Sequence, residues 1–364
     1  MENQNRRWVS TVGMDVQTWH KTRQTGIGSS DAPAILGVSA FKTPYDIWLR
    51  KTAPEPIIDD ETPKMTAGKE LEDAIARWWA KEFGIRVVRD NKFRLHPSYD
   101  FIFAELDRIA MHPERGPGLI EVKNTERRIF ERWRVGDMPL SFYIQIQHQF
   151  MCSGLEWGVL VCLLDGWDMK TIEIFPDHEF IDGLEQKEVR FWNDYVIPKV
   201  APELTNFSDV EQMYPKHEPG KAVELDRFTL QAAVDLQQVL QQIEDLNNTK
   251  ESLQFQVAKI LGDAECGTSR QYRVVTFKKN LDGIMVDAEK LEAQWPSVYE
   301  KCLKPRRGAR ILRLNKAQLT LAAKESVEAL KRTQAEVQNV VSANGRNEND
   351  GGRGPGAGKN SSGA

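Results

Sequence analysis

Asp107, Glu121 and Lys123 are the residues of this sequence whose types and spacing best suit a chemical reaction. Glu121 and Lys123 stand two residues apart in the segment LIEVKNT, and in a β-strand this spacing directs both side chains to one face. Asp107 belongs to the preceding β-rich segment. Phosphodiester hydrolysis needs carboxylate oxygens to hold Mg²⁺, which activates water, and a cation to offset negative charge. The three residues therefore predict metal-dependent hydrolysis of a phosphodiester.

The Glu-x-Lys triplet has low specificity by itself, because such triplets are common. The alternative for an isolated triplet is an exposed strand face with a surface ion pair that contributes less than about 1 kcal/mol. The order of the surrounding elements favours the chemical interpretation. A predicted helix that carries Glu72 is followed by two β-rich segments, the Glu-x-Lys strand and a helix that carries Gln145. Elements in this order can bring Glu72 and Gln145 to the same metal site.

The segments around these residues predict one α/β domain over residues 1–205, with a mixed β-sheet flanked by helices. The helix over 66–83 has an apolar face formed by Leu71, Ile75, Trp78, Trp79 and Phe83. Three β-rich segments follow this helix and are expected to form a meander. A helix over 140–153, two strands and a long helix complete the domain.

A second, α-rich domain with a small β element is predicted over 220–330, after a boundary in the Pro-rich stretch 202–220. Apolar residues with a strict three-four spacing, interrupted by Lys250, predict a helical hairpin or a coiled coil. They are Leu236, Val239, Ile243, Leu246, Leu253, Val257 and Ile260. Residues 343–364 are rich in Gly, Ser and Asn and are expected to be disordered.

Composition limits the class of protein but does not reveal a nucleic-acid partner. The 364 residues suffice for about two domains, 40% of them are hydrophobic, and the formal charge is −4. Basic islands at 123–134 and 304–313 lie in an otherwise acidic chain, so a local positive field can oppose the net charge. No apolar run reaches the roughly 18 residues of a membrane span, and the four cysteines lack zinc-binding spacing. These features predict a cytoplasmic protein.

The chain closely resembles, in several ordered motifs, the YqaJ-like viral recombinases, which are relatives of the lambda-type phage exonucleases in the PD-(D/E)XK nuclease superfamily. The motifs are TRQTGIGSSDAPAILGVSAFKTPYDIWLRKT, GKELEDAIARWW, FAELDRIA, GLIEVKNT and YIQIQHQFMCSGLEWGVLVCLL, which cover about residues 15–200. A weaker resemblance extends to the C-terminal helices and the segment RRGARILRL. The resemblance implies a PD-(D/E)XK, restriction-endonuclease-like core with an α-helical C-terminal appendage.

The resemblance assigns the metal and the chemistry to a few residues of one strand and its neighbour. Asp107 and Glu121 correspond to metal ligands, and the carbonyl of Val122 completes the coordination shell. Lys123 corresponds to the cation that activates the water or stabilises charge. An enzyme of this family would therefore hold its metal between the strand that carries Glu121 and the segment that carries Asp107.

Further residues of the site are implied by the same resemblance. Glu72 on the first core helix lies near the metals and the water network, and Gln145 on the later helix orients the nucleophile. Arg23 and Ser30 match positions that hold a terminal 5′-phosphate in lambda-type exonucleases, a role that suits a guanidinium and a hydroxyl. These two residues distinguish an enzyme that starts at a 5′-phosphorylated end.

The resemblance implies a Mg²⁺-dependent, 5′-to-3′ double-stranded DNA exonuclease with two metal ions, and with Mn²⁺ as an alternative ion. Such an enzyme makes 3′ single-stranded overhangs for recombination by strand annealing. We expect a homotrimer, a single-strand annealing protein as partner, and a phage or prophage gene in a bacterial host. The alternatives are an endonuclease on the same core and a catalytically silent DNA-binding scaffold.

Several residues keep two interpretations. The family often has Ser-Pro-Asp-Gly around the aspartate, whereas this chain has Glu-Leu-Asp-Arg at 105–108, so Glu105 could compete with Asp107 as the acid. His148 could be a general base, although a core or surface histidine is favoured. Three arginines directly follow the catalytic strand, which favours contacts with the DNA backbone over a solvated charged face. They are Arg127, Arg128 and Arg132.

Overall fold

A computed structural model gives the fold, and it describes residues 7–132, 134–135, 138–270, 272–280, 285–304 and 311–347. The chain divides into two compact units, Met1–Tyr214 and Pro215–Ala364. All the site residues predicted from the sequence belong to the first unit.

The first unit alternates short strands with helices. In chain order its elements are β1 (Trp8–Ser10), α1 (Val16–Gln24), β2 (Ile27–Gly28), α2 (Ala32–Ile35), α3 (Pro44–Thr52), α4 (Pro63–Phe83), β3 (Arg86–Val88), β4 (Lys92–Leu95), β5 (Ile102–Ala104), β6 (Arg108–His112), β7 (Gly116–Thr125), α5 (Arg127–Arg132), β8 (Arg134–Val135), β9 (Met138–Pro139), α6 (Leu140–Ser153), β10 (Gly158–Leu164), β11 (Asp168–Ile174), α7 (His178–Phe191) and α8 (Phe207–Met213). A π-helical turn, Trp192–Val196, follows α7.

A five-stranded mixed sheet forms the centre of this unit, with its strands in the order β11-β10-β7-β6-β3. The neighbours β7 and β10 are parallel, and the other neighbouring pairs are antiparallel. A smaller sheet has the order β1-β4-β5-β2, and β8 pairs with β9. Apolar clusters join one face of the large sheet to α6 and the other face to α4. The predicted α/β class, a mixed sheet flanked by helices, is confirmed.

The predicted meander is wrong, because two of its three β-rich segments break and divide between the two sheets. β3 pairs with β6, whereas β4 pairs with β1 and β5. Asn91 separates β3 from β4 in a left-handed conformation with φ 46°, which asparagine tolerates better than most residues. The segment 105–107 separates β5 from β6. Asp107 therefore lies at a strand end and not within a strand.

Alternation along β7 decides which side chains face which helix. Leu119 belongs to the apolar cluster that contains α6 residues, whereas Ile120 and Val122 belong to the cluster that contains α4 residues. Because successive strand residues point to opposite faces, Glu121 and Lys123 point toward α6. β7 thus directs Glu121 and Lys123 toward α6, and Ile120 and Val122 toward α4.

The helices α4 and α6 have well-defined ends. α4 begins after Thr62, whose hydroxyl accepts the backbone N–H of Met65, and Pro63 occupies its first turn. α4 ends at Gly84 with φ 64°, and α6 ends at Gly154 with φ 61°. This left-handed conformation favours glycine, which has no Cβ. Both ends agree with the sequence prediction.

The apolar face of α4 is narrower than the sequence predicts. Ile75 and Trp79 are buried against the sheet. The other predicted members of the face are exposed, namely Leu71, Trp78 and Phe83. Trp157 is buried in the same apolar cluster as Ile75 and Trp79, and a Cβ on Gly118 would lie 2.3 Å from its ring. The close approach of this indole to β7 requires glycine at position 118.

The second unit is α-rich and contains a β-hairpin. Its elements are α9 (Arg227–Leu261), β12 (Cys266–Ser269), β13 (Tyr272–Thr276), α10 (Ala288–Gln294), α11 (Pro296–Cys302) and α12 (Lys316–Asn347). The predicted apolar seam lies on α9, where it is exposed from Val239 to Ile260, and α12 contacts α9. Residues 343–347 are helical where disorder was predicted, and 348–364 lie outside the described residues. In the described ranges of both units, no helix is long and apolar enough to cross a membrane.

Candidate active site

Asp107 lies where the strands β6 and β7 separate. The antiparallel ladder between them begins at the pair of His112 with Gly116 and ends at the pair of Arg108 with Ile120. Two residues further along β7, the N–H of Val122 donates to Asp107 Oδ2 at 2.8 Å. A carboxylate thus takes the place of a strand partner. The N–H and C=O of one strand residue point to the same side, so the Val122 carbonyl faces the same gap.

Glu121 and Lys123 lie side by side on the α6 face, as their spacing predicts. Lys123 Nζ donates to Glu121 Oε1 at 2.5 Å and to Gln145 Oε1 at 3.1 Å. Gln145 Nε2 donates to the same Glu121 oxygen at 2.7 Å. Glu121 is 1% exposed, whereas the Lys123 side chain is 24% exposed. The carboxylate is therefore buried, and the ammonium borders the solvent.

Sequence reasoning missed Gln149, which also binds Glu121. Its Nε2 donates to Glu121 Oε2 at 2.6 Å and to the carbonyl of Glu105 at 3.3 Å. Gln149 follows Gln145 by four residues on α6, and this spacing places both amides on one helix face. The spacing in YIQIQHQ is the signal that could have identified it. The two glutamines together satisfy both oxygens of a buried carboxylate.

The site concentrates negative charge beside one ammonium. Burial raises the pKa of Asp107 well above its ordinary value, and repulsion by Glu121 and Glu72 adds to this increase. Burial opposes the charge on Lys123, but attraction by Glu121 and Asp107 outweighs burial and raises the pKa of Lys123. Lys123 is therefore held as an ammonium at neutral pH by the carboxylates beside it.

Glu72 reaches the site through an arginine that sequence reasoning did not select. Arg108 donates to Glu72 Oε1, to the carbonyl of Asp107 at 2.5 Å and to Asp73 Oδ1 at 3.0 Å. Arg108 is buried, and it leaves β6 on the side where α4 packs. The structure thus brings Glu72 near Asp107, but its carboxylate is already engaged by a guanidinium.

Arg23 and Ser30 form a pocket beside these residues. Arg23 donates to Ser30 Oγ at 2.7 Å and to Glu105 Oε2 at 3.3 Å, and its guanidinium lies 4.9 Å from the Trp19 ring centre. Trp19 Nε1 donates to Glu105 Oε1 at 2.8 Å. Burial raises the pKa of Glu105, although Arg23 and Trp19 oppose the increase. Glu105 therefore braces Arg23, which leaves Asp107 as the acid at the strand end.

A buried ion pair supports the loop that carries Ser30. Asp31 Oδ2 contacts Lys51 Nζ at 2.7 Å and accepts the N–H of Gly28 at 3.1 Å. Lys51 also donates to the carbonyl of Arg23 at 2.8 Å. Burial alone would raise the pKa of Asp31, but Lys51 and Arg23 outweigh it and lower this pKa to about 2. These contacts fix the backbone of Arg23 relative to that of Ser30.

A cleft of about 490 Å³ joins the Arg23 pocket to Asp107. Its lining also includes Ser30, Glu72 and Gln145. The cleft carries basic side chains from five different elements or loops, namely Arg23, Lys69, Arg89, Lys92 and Arg108. A chain with a formal charge of −4 thus presents cations inside the groove that leads to Asp107, and this arrangement suits a polyanionic ligand.

The arginines that follow β7 lie outside the lining of this cleft. Arg127 forms an ion pair with Asp168, and Arg128 pairs with Glu126 at 3.3 Å while remaining strongly exposed. The side chain of Arg132 lies outside the described part of the chain. Contacts of these three arginines with DNA stay a prediction.

His148 is a core residue. It is fully buried, and its two ring nitrogens contact Glu188 Oε1 at 2.8 Å and the carbonyl of Phe103 at 2.9 Å. Burial opposes a charge on the imidazole, but Glu188 outweighs burial and raises the pKa of His148 well above its ordinary value. A side chain with both nitrogens engaged and no exposure cannot exchange protons with a substrate. His148 instead joins α6 to α7 and β5.

The oxygen donors of the site suit a hard divalent cation such as Mg²⁺. In the described ranges, no three Asp, Glu, His or Cys side chains form a complete metal cage. Mg²⁺, however, is commonly held by one or two carboxylates, with water and substrate phosphates as the remaining ligands. Asp107, Glu121 and the Val122 carbonyl match this pattern, and a cation would relieve the repulsion that raises the pKa of Asp107. Gln149 Oε1 is buried without a partner among the described residues, so an acceptor is available beside Glu121.

Comparison with known proteins identifies the family. Residues 18–156 match the YqaJ-like viral recombinase domain. The uncharacterized protein YqaJ of Bacillus subtilis (strain 168) is 31% identical over 297 residues, which cover 80% of this chain and 92% of that protein. The chain belongs to the YqaJ family. The resemblance seen in the sequence is therefore confirmed, and the residues that match the YqaJ domain include Arg23 and Gln149.

Solved structures of exonucleases resemble this YqaJ family member more distantly. An alkaline exonuclease from Laribacter hongkongensis is 20% identical, and the match covers 50% of this chain and 93% of that one, with a TM-score of 0.43. A phage related exonuclease from Haemophilus somnus 129PT is 15% identical over 48% of this chain and 96% of that one, with a TM-score of 0.36.

Proposed function

We propose that this YqaJ family member is a Mg²⁺-dependent double-stranded DNA exonuclease that digests from 5′ to 3′. The observation that carries the proposal is the grouping of Asp107, Glu121 and Lys123 beside the pocket of Arg23 and Ser30. The first group suits a metal ion and a phosphodiester under attack, and the second suits a terminal phosphate. Their adjacency describes an enzyme that cleaves next to a strand end.

The contacts of each side chain suggest its role in hydrolysis. Asp107, Glu121 and the Val122 carbonyl would hold Mg²⁺, or Mn²⁺ in its place, and the ion supplies positive charge to the scissile phosphate and acidifies the attacking water. Lys123 stays protonated and offsets the charge that develops on the phosphate oxygens. Gln145 binds both Lys123 and Glu121, so it holds these groups in register and can orient the water.

The pocket of Arg23 and Ser30 supports the choice of a 5′-phosphorylated end. A guanidinium forms strong, charge-assisted hydrogen bonds with phosphate, and Glu105 and Trp19 hold this one in place before DNA arrives. A terminal phosphate fixed there would leave the first phosphodiester close to Asp107. Repeated cleavage from such an end shortens one strand and leaves a 3′ single-stranded overhang.

The proposed product suggests the partners. A 3′ overhang is the substrate of strand annealing, so we expect a single-strand annealing protein to act with this enzyme in recombination. The expected homotrimer, and action in the cytoplasm of a bacterial host that carries the phage or prophage, rest on the family resemblance. Size-exclusion chromatography with light scattering measures the oligomeric state directly.

A nuclease assay with three substrates tests the proposal. The substrates are a linear duplex with 5′-phosphate ends, the same duplex with 5′-hydroxyl ends, and a covalently closed circle, each with Mg²⁺ or with EDTA. We expect hydrolysis of the phosphorylated duplex that requires Mg²⁺, slower hydrolysis of the hydroxyl duplex, and an intact circle. Cleavage of the circle would support an endonuclease, and no hydrolysis in either Mg²⁺ or Mn²⁺ would support the catalytically silent scaffold.

A pair of variants tests the end-recognition part separately. Arg23→Ala should lose at least tenfold in kcat/KM on 5′-phosphate ends and should lose the preference over hydroxyl ends. Arg115→Ala is the matched control, because Arg115 is similarly exposed but binds Glu173 and Trp157 outside the cleft. An Arg23→Ala enzyme that keeps the wild-type preference would refute the terminal-phosphate assignment.

A further inference from the structure

Arg108 carries an inference about the number of ions that the site binds. The side chain is 7% exposed and begins one residue after Asp107. Its guanidinium donates to Glu72, to the carbonyl of Asp107 and to Asp73. A buried charge without partners is strongly unfavourable, so this guanidinium needs the groups that surround it. Arg108 is therefore fixed between α4 and the strand end that carries the metal-site aspartate.

Glu72 is the acid that a second ion beside Asp107 would need. It approaches Asp107 from α4, on the sheet face of Ile120 and Val122, whereas Glu121 points to α6 on the opposite face. Glu72 Oε1 already accepts from Arg108, and the same guanidinium nitrogen donates to the backbone carbonyl of Asp107. A side-chain cation thus lies between Glu72 and the Asp107 backbone.

The balance of charge among the side chains that are at most partly exposed gives the same number. The carboxylates connected through these contacts are Glu72, Asp73, Asp107 and Glu121. The cations that are at most partly exposed beside them are Arg108 and Lys123. Four negative and two positive charges leave two negative charges, which one divalent ion neutralises. The further arginines at Asp73 are largely exposed and are screened by solvent.

We propose that the Arg108 guanidinium takes the place of a second divalent cation, so that each chain binds one ion, at Asp107 and Glu121. This proposal rests on the metal site of the proposed function, and it replaces the two ions that the family resemblance implies. Arg108 is a positioning residue in this arrangement. It holds Glu72 and neutralises it without a metal.

Counting bound Mn²⁺ tests the inference without any measurement of activity. The full-length protein is stripped with EDTA, dialysed and titrated with Mn²⁺, and the free ion is followed by electron paramagnetic resonance. The titration is repeated with a duplex whose terminal linkages are phosphorothioates. We expect one Mn²⁺ per chain in both titrations for the wild type and for Arg108→Lys. Arg108→Met should bind two, and Glu72→Gln in that background should return the count to one.

The matched control is Arg77→Met, which removes another arginine from Asp73 without touching Glu72. It should bind one Mn²⁺ per chain. Two ions in the wild type, or one ion in a folded Arg108→Met protein, would overturn the inference while leaving the nuclease proposal intact. If Arg108→Met does not fold, Glu72→Gln in the otherwise wild-type protein tests the inference. We expect it to leave Mn²⁺ affinity unchanged, and a tenfold loss of affinity would identify Glu72 as a ligand and overturn the inference. No bound Mn²⁺ in the wild type would instead overturn the metal site itself.

Discussion

Replacing Lys123 by alanine should separate catalysis from DNA binding. The ammonium contacts Glu121 and Gln145 and lies beside Asp107, where it would offset charge on a phosphate in the transition state. Removal of one such preorganised electrostatic group costs roughly 10²–10³-fold in rate. We therefore expect Lys123→Ala to reduce single-turnover hydrolysis by roughly 10²–10³-fold, or about 3–4 kcal/mol of transition-state stabilisation.

The same substitution should also reduce the stability of the metal-free protein. It leaves Glu121 buried without its cation, and breaking a buried ion pair costs about 3–5 kcal/mol. Lys123 is partly exposed, and the amides of Gln145 and Gln149 still bind Glu121, so we expect a smaller loss of about 1–3 kcal/mol. Mg²⁺ should recover much of this loss, because a ligand at 100 times its Kd stabilises the folded state by about 2.7 kcal/mol.

Two measurements and one control check these expectations. Hydrolysis is followed on a labelled linear duplex with excess enzyme, and duplex affinity is measured by anisotropy in Ca²⁺. Thermal unfolding is compared in EDTA and in Mg²⁺. Lys170→Ala is the matched control. Lys170 lies opposite Cys162 in the sheet, and Cys162 lies opposite Lys123, so the two lysines occupy the same row of the sheet. Unlike Lys123, Lys170 is exposed. A Lys123→Ala rate within tenfold of the wild type, or a loss of duplex affinity equal to the loss of rate, would refute the assigned role.

Three further substitutions have expected outcomes in stability. Asp107→Asn should stabilise the EDTA-treated protein by about 1 kcal/mol or more, because it removes a buried charge that neighbouring carboxylates repel. The same substitution should abolish the rise in Tm with Mg²⁺. A wild-type rise in Tm with Mg²⁺ would contradict the metal assignment. Gly118→Ala should lower the free energy of unfolding in urea by at least about 1–3 kcal/mol, because the new Cβ would lie 2.3 Å from the Trp157 ring. Unchanged stability would contradict this packing. Glu188 raises the pKa of His148. The charged imidazole therefore stabilises the fold fully below about pH 6.5. The free energy of unfolding then falls by up to about 1.4 kcal/mol per pH unit as the pH rises through the folded-state pKa of His148. His148→Gln should flatten that decline, and equal slopes for both proteins between pH 6 and 9 would argue against a charged His148.

The parts of the site that follow from local pattern could be predicted from the sequence. Period-two alternation alone places Glu121 and Lys123 on one strand face, whatever the strand pairs with. Gln145 and Gln149 follow similarly from helical spacing once α6 is recognised. The end of α6 at Gly154 depends on the conformational freedom of glycine, which is also a local property.

The parts that depend on tertiary partners could not be predicted in this way. Arg108 was overlooked because its significance lies in contacts with Glu72 and Asp73, which are more than 30 residues away along the chain. Trp78 was assigned to the core because apolar spacing cannot tell which of two adjacent tryptophans faces the sheet. In the structure, Trp79 is the one of the two that packs against β7.

The failed meander prediction and the position of the site have one cause. A continuous ladder from β5 through β6 against β7 would have bound the backbone of Val122 to a neighbouring strand, and its carbonyl would not be available to an ion. The chain instead leaves the ladder at 105–107, and the Asp107 carboxylate accepts the N–H that the missing strand would have bound. One interruption therefore supplies a carboxylate, frees a carbonyl and opens the cleft toward Arg23. The irregularity that period-two reasoning could not detect is what allows the oxygen donors to meet.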